Sequence, residues 1–321
     1  MTVAVEVAHL RKQYGTTIAV DDVSFVVQEG EIFGVLGPNG SGKTTTVECV
    51  QGLRRPDAGA VRVFGLDVPA EPGRVRRMIG SQLQDSALPD RMRVWEALKL
   101  FSTISEGGRP WEQLLDEWGL TDRRNAAFGD LSGGQRQRLF VALALVADPR
   151  LVLLDEMTTG LDPAARRVAW DLVADVRERG TTVVLVTHFM DEAERLCDRL
   201  AVIVDGRVVT TGTAAELVQA HHPDAVVSFT RPDGVDVGFL QGIPGIRSVT
   251  AAPTGAVQVV GSGPLLARVG HELVEHGIEP PDLRADLPTL EDAYLALTAA
   301  ARPLPGAGGP LTTAKLQEQD R

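Results

Sequence analysis

The run Gly37-Pro38-Asn39-Gly40-Ser41-Gly42-Lys43-Thr44 limits the folds open to this chain more than any other stretch of it. It follows an apolar segment at 31–36, precedes a helical pattern from about Lys43, and fits G-x-x-x-x-G-K-[ST], the spacing of a phosphate-binding loop. Glycines let the backbone wrap an anion at dihedrals and distances that a Cβ would forbid. Successive N–H groups and the start of the following helix then point partial positive charge at it. Lys43 is expected to reach the outer phosphates of a nucleotide, and the Thr44 hydroxyl to ligate Mg2+. The lysine is informative because Lys12, Lys99 and Lys315 are the only others in 321 residues.

Residues 151–154, Leu-Val-Leu-Leu, run into Asp155 and Glu156. That is the pattern of a buried strand ending in two carboxylates. Asp155 is expected to hold Mg2+, directly or through water, and Glu156 to polarise an attacking water as general base. His188 ends a second apolar strand, 183–187, at a carboxyl edge that would face the same crevice as the glycine-rich loop.

Short β-rich runs alternate with longer helical patterns through the first two-thirds, which predicts an α/β architecture with a largely parallel sheet. Segments 3–8 and 24–27 read as strands of an antiparallel edge subdomain, and 61–64 and 79–83 as further strands. Between 94 and 128 the pattern is helical, with Trp95, Leu98, Phe101, Leu114, Leu115 and Trp118 as expected core positions. The apolar runs 151–154 and 183–186 suit strands covered on both faces. Helices are expected at 163–179 and 191–199. Beyond His221-His222-Pro223 a smaller α+β pattern follows: strands at 225–230, 246–250 and 256–260, and helices at 264–275 and 287–298, the makings of a split βαβ module. The predicted organisation is therefore 1–220, an accessory unit at 221–300, and a Pro/Gly-rich tail at 301–321 expected to be disordered.

Acidic residues number 43 against 32 basic ones, a formal charge of −11. Such a surface is a poor general attractor for phosphate backbones, so no nucleic-acid partner is expected. The longest apolar run, 139–147, falls far short of the ~18 residues that span a bilayer. The first residues show no basic stretch followed by an apolar core, and Cys49 and Cys197 make no disulfide framework. The chain is expected to be cytoplasmic.

Leu131-Ser132-Gly133-Gly134-Gln135 resembles the signature motif of ATP-binding cassette (ABC) ATPases. The chain carries the family's other landmarks in order: Tyr14, the glycine-rich loop, Gln84, Asp155-Glu156, Gly160-Leu161-Asp162 and His188. The resemblance implies a P-loop NTPase fold with an antiparallel β subdomain and a helical subdomain, and ATP and Mg2+ as ligands. It implies that Tyr14 stacks on adenine and that Gly37, Pro38, Asn39, Gly40, Ser41, Gly42, Lys43, Thr44 and Thr45 surround the phosphates. Thr44, Gln84 and Asp155 would serve the metal; Glu156, His188 and Gln84 would serve the attacking water. Ser132, Gly133, Gly134, Gln135 and Asp162 would complete the phosphate cage of a second copy, so that a homodimer sandwiches two ATP molecules.

Residues 187–195 (Thr-His-Phe-Met-Asp-Glu-Ala-Glu-Arg) and 287–295 (Leu-Pro-Thr-Leu-Glu-Asp-Ala-Tyr-Leu) are similar to stretches of the ATPase subunits of ABC-2-type exporters, including the daunorubicin-type group. That likeness implies a separately encoded transmembrane permease, a peripheral place on the inner membrane face, and export of a drug, antibiotic or lipid-like molecule. Segment 85–101, with Leu88, Met92, Val94, Trp95 and Leu98, is the expected permease contact. The competing reading is a soluble ABC ATPase acting on a macromolecular complex; a single cassette and an acidic surface weigh against it. Two departures stand out. Met157 occupies the place where the family usually has proline, and Gln82 competes with Gln84 as the loop glutamine, Gln84 being favoured because Asp85 follows it.

Overall fold

The computed structural model describes residues 2–82, 87–105, 108–221, 224–232 and 234–301. Gln84, Asp85 and the tail from Arg302 therefore lie outside the described residues. The chain opens with a long hairpin, β1 (Val3–Tyr14) and β2 (Thr17–Gln28), then β3 (Ile32–Leu36), α1 (Lys43–Val50), β4 (Ala58–Val63) and β5 (Leu66–Asp67). α2 (Pro72–Arg76) and β6 (Ile79–Gln82) lead into a helical section of α3 (Val94–Ile104), α4 (Trp111–Glu117) and α5 (Gly133–Leu145). Then come β7 (Leu151–Asp155), α6 (Pro163–Glu178), β8 (Thr182–Thr187), α7 (Met190–Leu196), β9 (Arg199–Val204), β10 (Arg207–Gly212) and α8 (Ala214–His221). The last part is β11 (Asp224–Thr230), β12 (Ile246–Ala251), β13 (Ala256–Ser262), α9 (Leu265–Glu275), β14 (Arg284–Asp286) and α10 (Leu290–Ala301).

The first ten strands form one sheet in the order β5-β4-β1-β2-β10-β9-β3-β8-β7-β6. Strands β9, β3, β8, β7 and β6 are mutually parallel, and β1, β2, β4 and β5 pair antiparallel at the other end. Alternation along the parallel strands sends side chains to both faces. Val152 and Leu154 join one core cluster with α3, α5 and α6, while Leu151 and Leu153 join the other with α1 and the hairpin. Each such fully buried aliphatic side chain stabilises the fold by about 1.5–3 kcal/mol. Because β3, β7 and β8 are parallel, their carboxyl ends share one edge, and the glycine-rich loop, Asp155-Glu156 and His188 all sit on it.

The second sheet has the order β12-β13-β11-β14, antiparallel throughout, with α9 after its third strand. This is a split βαβ arrangement in which a 3-10 turn at Gly238–Gly242 stands where the first helix would be. Helix α10 leaves this unit and lays Leu290, Ala293 and Leu297 against Leu36, Leu200, Val202 and Leu217 of the first sheet and its helices.

Several expectations need correction. The hairpin strands run well past 3–8 and 24–27, because strand pairing continues through the polar residues Lys12 and Gln13, opposite Val20 and Ile18. The predicted helix 191–199 stops at Leu196, and Arg199 begins β9. The reading contained neither β9, β10, α8 nor β14. Helix α10 starts at Leu290 instead of 287; Leu287 is exposed. Trp95 and Phe101 are only half-buried: the buried face of α3 is Val94, Ala97 and Leu98, at helical spacing, and the two aromatics flank it.

Candidate functional site

The glycine-rich loop is shaped by what its glycines avoid. Gly42 precedes α1 in a left-handed conformation, φ +100, and a Cβ there would meet the Ala19 carbonyl oxygen at 2.3 Å. A Cβ on Gly37 would stand 2.1 Å from the Ile203 carbonyl oxygen. The Lys43 ammonium donates to the carbonyl oxygens of Gly37, at 2.8 Å, and Pro38, at 3.0 Å, folding the loop around its own lysine. Lys43 is buried, which pushes its ammonium below the usual lysine range, while the charges of Glu156 and Asp155 pull it back.

Asp155 is the last residue of β7 and almost fully buried. Burial, with the neighbouring Glu156 charge, pushes its carboxyl up to about 6, against the pull of Lys43 and the Thr44 hydroxyl. Its Oδ1 atom is buried without a hydrogen-bond partner. A buried, unsatisfied carboxylate oxygen beside a threonine hydroxyl is a hard-oxygen donor set, which fits Mg2+.

Glu156 takes φ +49, an uncommon conformation for a residue with a Cβ. Its N–H donates to the Val186 carbonyl oxygen at 2.9 Å, tying the end of β7 to β8. The side chain turns to the cleft, where Oε1 lies 3.1 Å from His188 Nδ1. His188 also packs its ring on Phe189, with centroids 4.1 Å apart. Met157 is fully buried in the core, so a side-chain anchor replaces the ring constraint of proline at the entry to the next loop.

Tyr14, Ala19, Asn39, Gly40, Gly42, Lys43, Thr44, Thr45 and Glu156 line one cleft of about 390 Å³. Ser41 lies behind the loop, with its backbone carbonyl accepting from the Gly206 N–H at 3.0 Å. Gln82 is buried at the end of β6 and does not line the cleft. Ala19, Ile203 and Gly206, which brace the loop from the hairpin and from the β9–β10 turn, were absent from the sequence reading. The dipeptide Asp205-Gly206 between two apolar runs was the signal for that turn.

The Ser132 segment is built separately. Ser132 caps α5: its Oγ accepts from the Gln135 N–H at 3.3 Å, and Gln135 Oε1 accepts from the Ser132 N–H at 3.0 Å. This reciprocal cap presents the start of α5, whose next N–H groups and dipole favour an anion. Asp162 caps α6 in the same manner, its Oδ1 accepting from the Ala164 and Ala165 N–H groups at 2.9 Å. Ser132, Gly133, Gly134, Gln135 and Asp162 line a second cleft of about 250 Å³, which has no residue in common with the first. The chain thus carries two separate clefts, each at the start of a helix.

An ABC transporter family model matches residues 20–159. Over 243 residues, 74% of this chain and 80% of the relative, the chain is 40% identical to the Nod factor export ATP-binding protein I of Burkholderia pseudomallei (strain 1710b). Over 223 residues, 67% of each protein, it is 43% identical to the daunorubicin/doxorubicin resistance ATP-binding protein DrrA of Streptomyces peucetius. Among solved structures it is similar to the dimeric post-hydrolysis state of the ATP-binding cassette MJ0796 bound to ADP and Pi. The TM-score there is 0.60 at 27% identity, with 65% of this chain and 98% of that one covered. With a cleft along the glycine-rich loop, a glutamate–histidine pair at the same sheet edge and a separately capped helix α5, the chain belongs to the ABC transporter family, as one of its ATP-hydrolysing subunits.

Proposed function

We propose that two copies of this chain close head to tail around two ATP molecules and that the closure powers export through a separately encoded membrane permease. The observation that carries the closure is the separation of the two clefts: each copy offers a phosphate cradle and, elsewhere, the capped start of the signature helix in a cleft of its own. The dimeric MJ0796 cassette supports pairing of this kind. The Nod factor export and daunorubicin/doxorubicin resistance roles of the relatives support export of a drug-like or lipid-like amphiphile. Among the described residues no helix is long and apolar enough to cross a membrane.

In this reading Tyr14 stacks on adenine, and the loop from Gly37 to Thr45 holds the phosphates. Thr44 and Asp155 would hold Mg2+, joined by Gln84; the ion would neutralise charge developing on the phosphate oxygens. Glu156 orients a water for in-line attack. The water oxygen bonds to the γ-phosphorus while the bond to the bridging oxygen breaks. The proton goes to the Glu156 carboxylate, and ADP and phosphate result. His188, held by Glu156, contacts the γ-phosphate and steadies the pair. Ser132, Gly133, Gly134, Gln135 and Asp162 of one copy close over the ATP of the other.

The permease contact falls on a hollow of about 180 Å³ lined by Leu88, Phe101, Phe140 and Leu143 together with the polar Ser81 and Gln82, with Leu100 and Ile104 exposed nearby on α3. Val94 and Leu98, which the sequence reading assigned to that contact, are fully buried core instead. The test is Glu156→Gln in the full chain with ATP and Mg2+. An ATP-dependent doubling of mass by light scattering supports the reading. A monomer at saturating ATP, with binding intact, overturns it.

A further inference from the structure

Among the described residues Tyr14 is the one aromatic residue lining the cleft along the glycine-rich loop, and it stands at an exposed tip. The last pair between β1 and β4 is Arg11 with Ala58, whereas Lys12, Gln13 and Tyr14 pair only with Val20, Ile18 and Thr17 of β2. The register slips four times along this pairing, two of them between Leu10 and Gln13 near the tip. A two-stranded ribbon is marginal by itself, so a base platform built on one needs bracing.

Asp57, just before β4, provides that bracing. Its N–H donates to the Arg11 carbonyl oxygen at 2.9 Å, which places its carboxylate against the projecting tip. Oδ1 accepts from the Lys12 ammonium at 2.8 Å and Oδ2 from the Gln13 N–H at 2.7 Å, so the side chain continues the sheet ladder where β4 itself has ended. Gln13 Nε2 donates to the Gly15 carbonyl oxygen at 2.7 Å and closes the turn. The Lys12 side chain is only 16% exposed, and its Nζ lies 5.5 Å from the centre of the Tyr14 ring. Lys12 does not line the cleft.

Resting on the reading of Tyr14 as the adenine platform, we propose that Asp57 is a positioning residue for the nucleotide base. It docks the hairpin tip and holds the Lys12 ammonium against one face of the Tyr14 ring, leaving the other face for the base. A fixed cation behind an aromatic ring is attractive to it and lowers the freedom lost when a base stacks on the front. The contribution belongs to the base alone, since neither Asp57 nor Lys12 reaches the phosphate loop.

The test uses the full chain and two probes, ATP and inorganic tripolyphosphate, each titrated with Mg2+ by calorimetry. Asp57→Asn and Lys12→Met are expected to weaken ATP binding roughly two- to fivefold, the size of a partly exposed cation–ring contact. They should leave tripolyphosphate binding unchanged, and raise KM for ATP with kcat at saturation unaltered. Lys12→Arg, which keeps a cation and a donor for Asp57, should restore wild-type ATP affinity. Tyr14→Ala separates the two levels of the argument. If Tyr14→Ala leaves ATP affinity unchanged, the adenine platform and the inference fall together. If it weakens ATP while Asp57→Asn and Lys12→Met do not, the positioning role alone is overturned. An equal loss of tripolyphosphate affinity in Asp57→Asn overturns it as well, by showing a general disturbance of the site.

Discussion

Glu156 Oε1 and His188 Nδ1 stand 3.1 Å apart across the carboxyl ends of neighbouring parallel strands. Each residue comes to that edge for a separate reason. Glu156 is turned inward by its left-handed backbone and its N–H bond to Val186, and His188 follows β8 and stacks on Phe189. Groups in direct contact act as a unit, so their substitutions should not add. Glu156→Gln is expected to lower kcat by about 10²–10⁴-fold, the usual weight of a general base, with ATP binding retained. His188→Ala should fall within the same range. The double variant should be no slower than about threefold below the worse single one, a modest departure of the kind expected for coupled groups. Single-turnover hydrolysis of labelled ATP measures all three; multiplying losses would mean the pair acts as two independent groups.

Asp155 gives the nucleotide-free chain a pH dependence of definite sign. Its carboxyl is raised from 3.8 to about 6, so the folded state prefers the protonated form. The stability this confers is complete below the unfolded value, near 4, and is lost as pH rises through about 6. The full shift of some two pH units corresponds to about 3 kcal/mol. Asp155→Asn should remove this slope and leave the apo protein more stable at pH 7, while abolishing any stabilisation by Mg2+ with ATP. Denaturant melts at pH 4.5 and 7.5, with and without Mg-ATP, read both effects. A wild-type apo chain that gains stability over that interval would contradict the assignment.

Gly42 and Gly133 offer a contrast inside one class of residue. Alanine at 42 must adopt φ +100 and place its Cβ 2.3 Å from a backbone oxygen of Ala19, which cannot yield without moving the hairpin. Gly42→Ala is expected to cost more than about 1 kcal/mol of stability and to abolish ATP binding. Alanine at 133 would meet only ordinary contacts, at 3.9 Å from Gly160 and Leu161. Gly133→Ala should fold normally and bind ATP as a single chain, while losing the ATP-driven dimer. Thermal melts and light scattering in ATP distinguish the two phenotypes.

What the sequence disclosed and what it withheld follow from the range of the forces involved. The glycine-rich loop, Asp155-Glu156 and the Ser132 cap depend on neighbours a few residues away, so their local geometry shows in a short window. The parallel strands were legible for a similar reason: burial on both faces leaves continuous apolar runs such as 151–154. Strand β9 carries the same signal, an apolar run at 200–204 buried beside β3, and is an omission of the expectation and not of the sequence. Strand β10 instead alternates and carries polar residues, and it is held by pairing with β9 and, through Arg207 and Asp22, with β2. Such long-range pairing leaves little local trace beyond the Asp205-Gly206 turn. Tyr14 was recognisable as a candidate ring, but its support by Asp57, 43 positions downstream, is set by the β1–β4 register.

Glu192 is a fully buried carboxylate on α7, four residues after His188. Its Oε1 accepts from the Trp170 indole N–H at 3.0 Å. Burial raises its pKa above the usual glutamate range, against the opposing pull of the nearby Thr187 and Thr158 hydroxyls, the Trp170 indole and the Arg166 charge. Thr158 follows Glu156 by two residues and Thr187 precedes His188, so this carboxylate lies behind both arms of the Glu156–His188 pair, with its Oε2 buried and without a hydrogen-bond partner. Because its pKa is raised, Glu192 favours the folded state most at pH below its unfolded value, and that advantage fades as pH rises through the folded value. Glu192→Gln keeps an acceptor for the indole and cannot ionise; it should flatten the stability profile above the ordinary glutamate range and leave hydrolysis nearly intact. Glu192→Leu leaves the buried indole N–H unpaired, at a cost of about 1–3 kcal/mol, and removes the carboxylate from behind both arms, so kcat should fall while ATP affinity holds. Melting curves across pH 5–9 with parallel kcat measurements test this; equal kcat in the glutamine and leucine variants would confine Glu192 to packing.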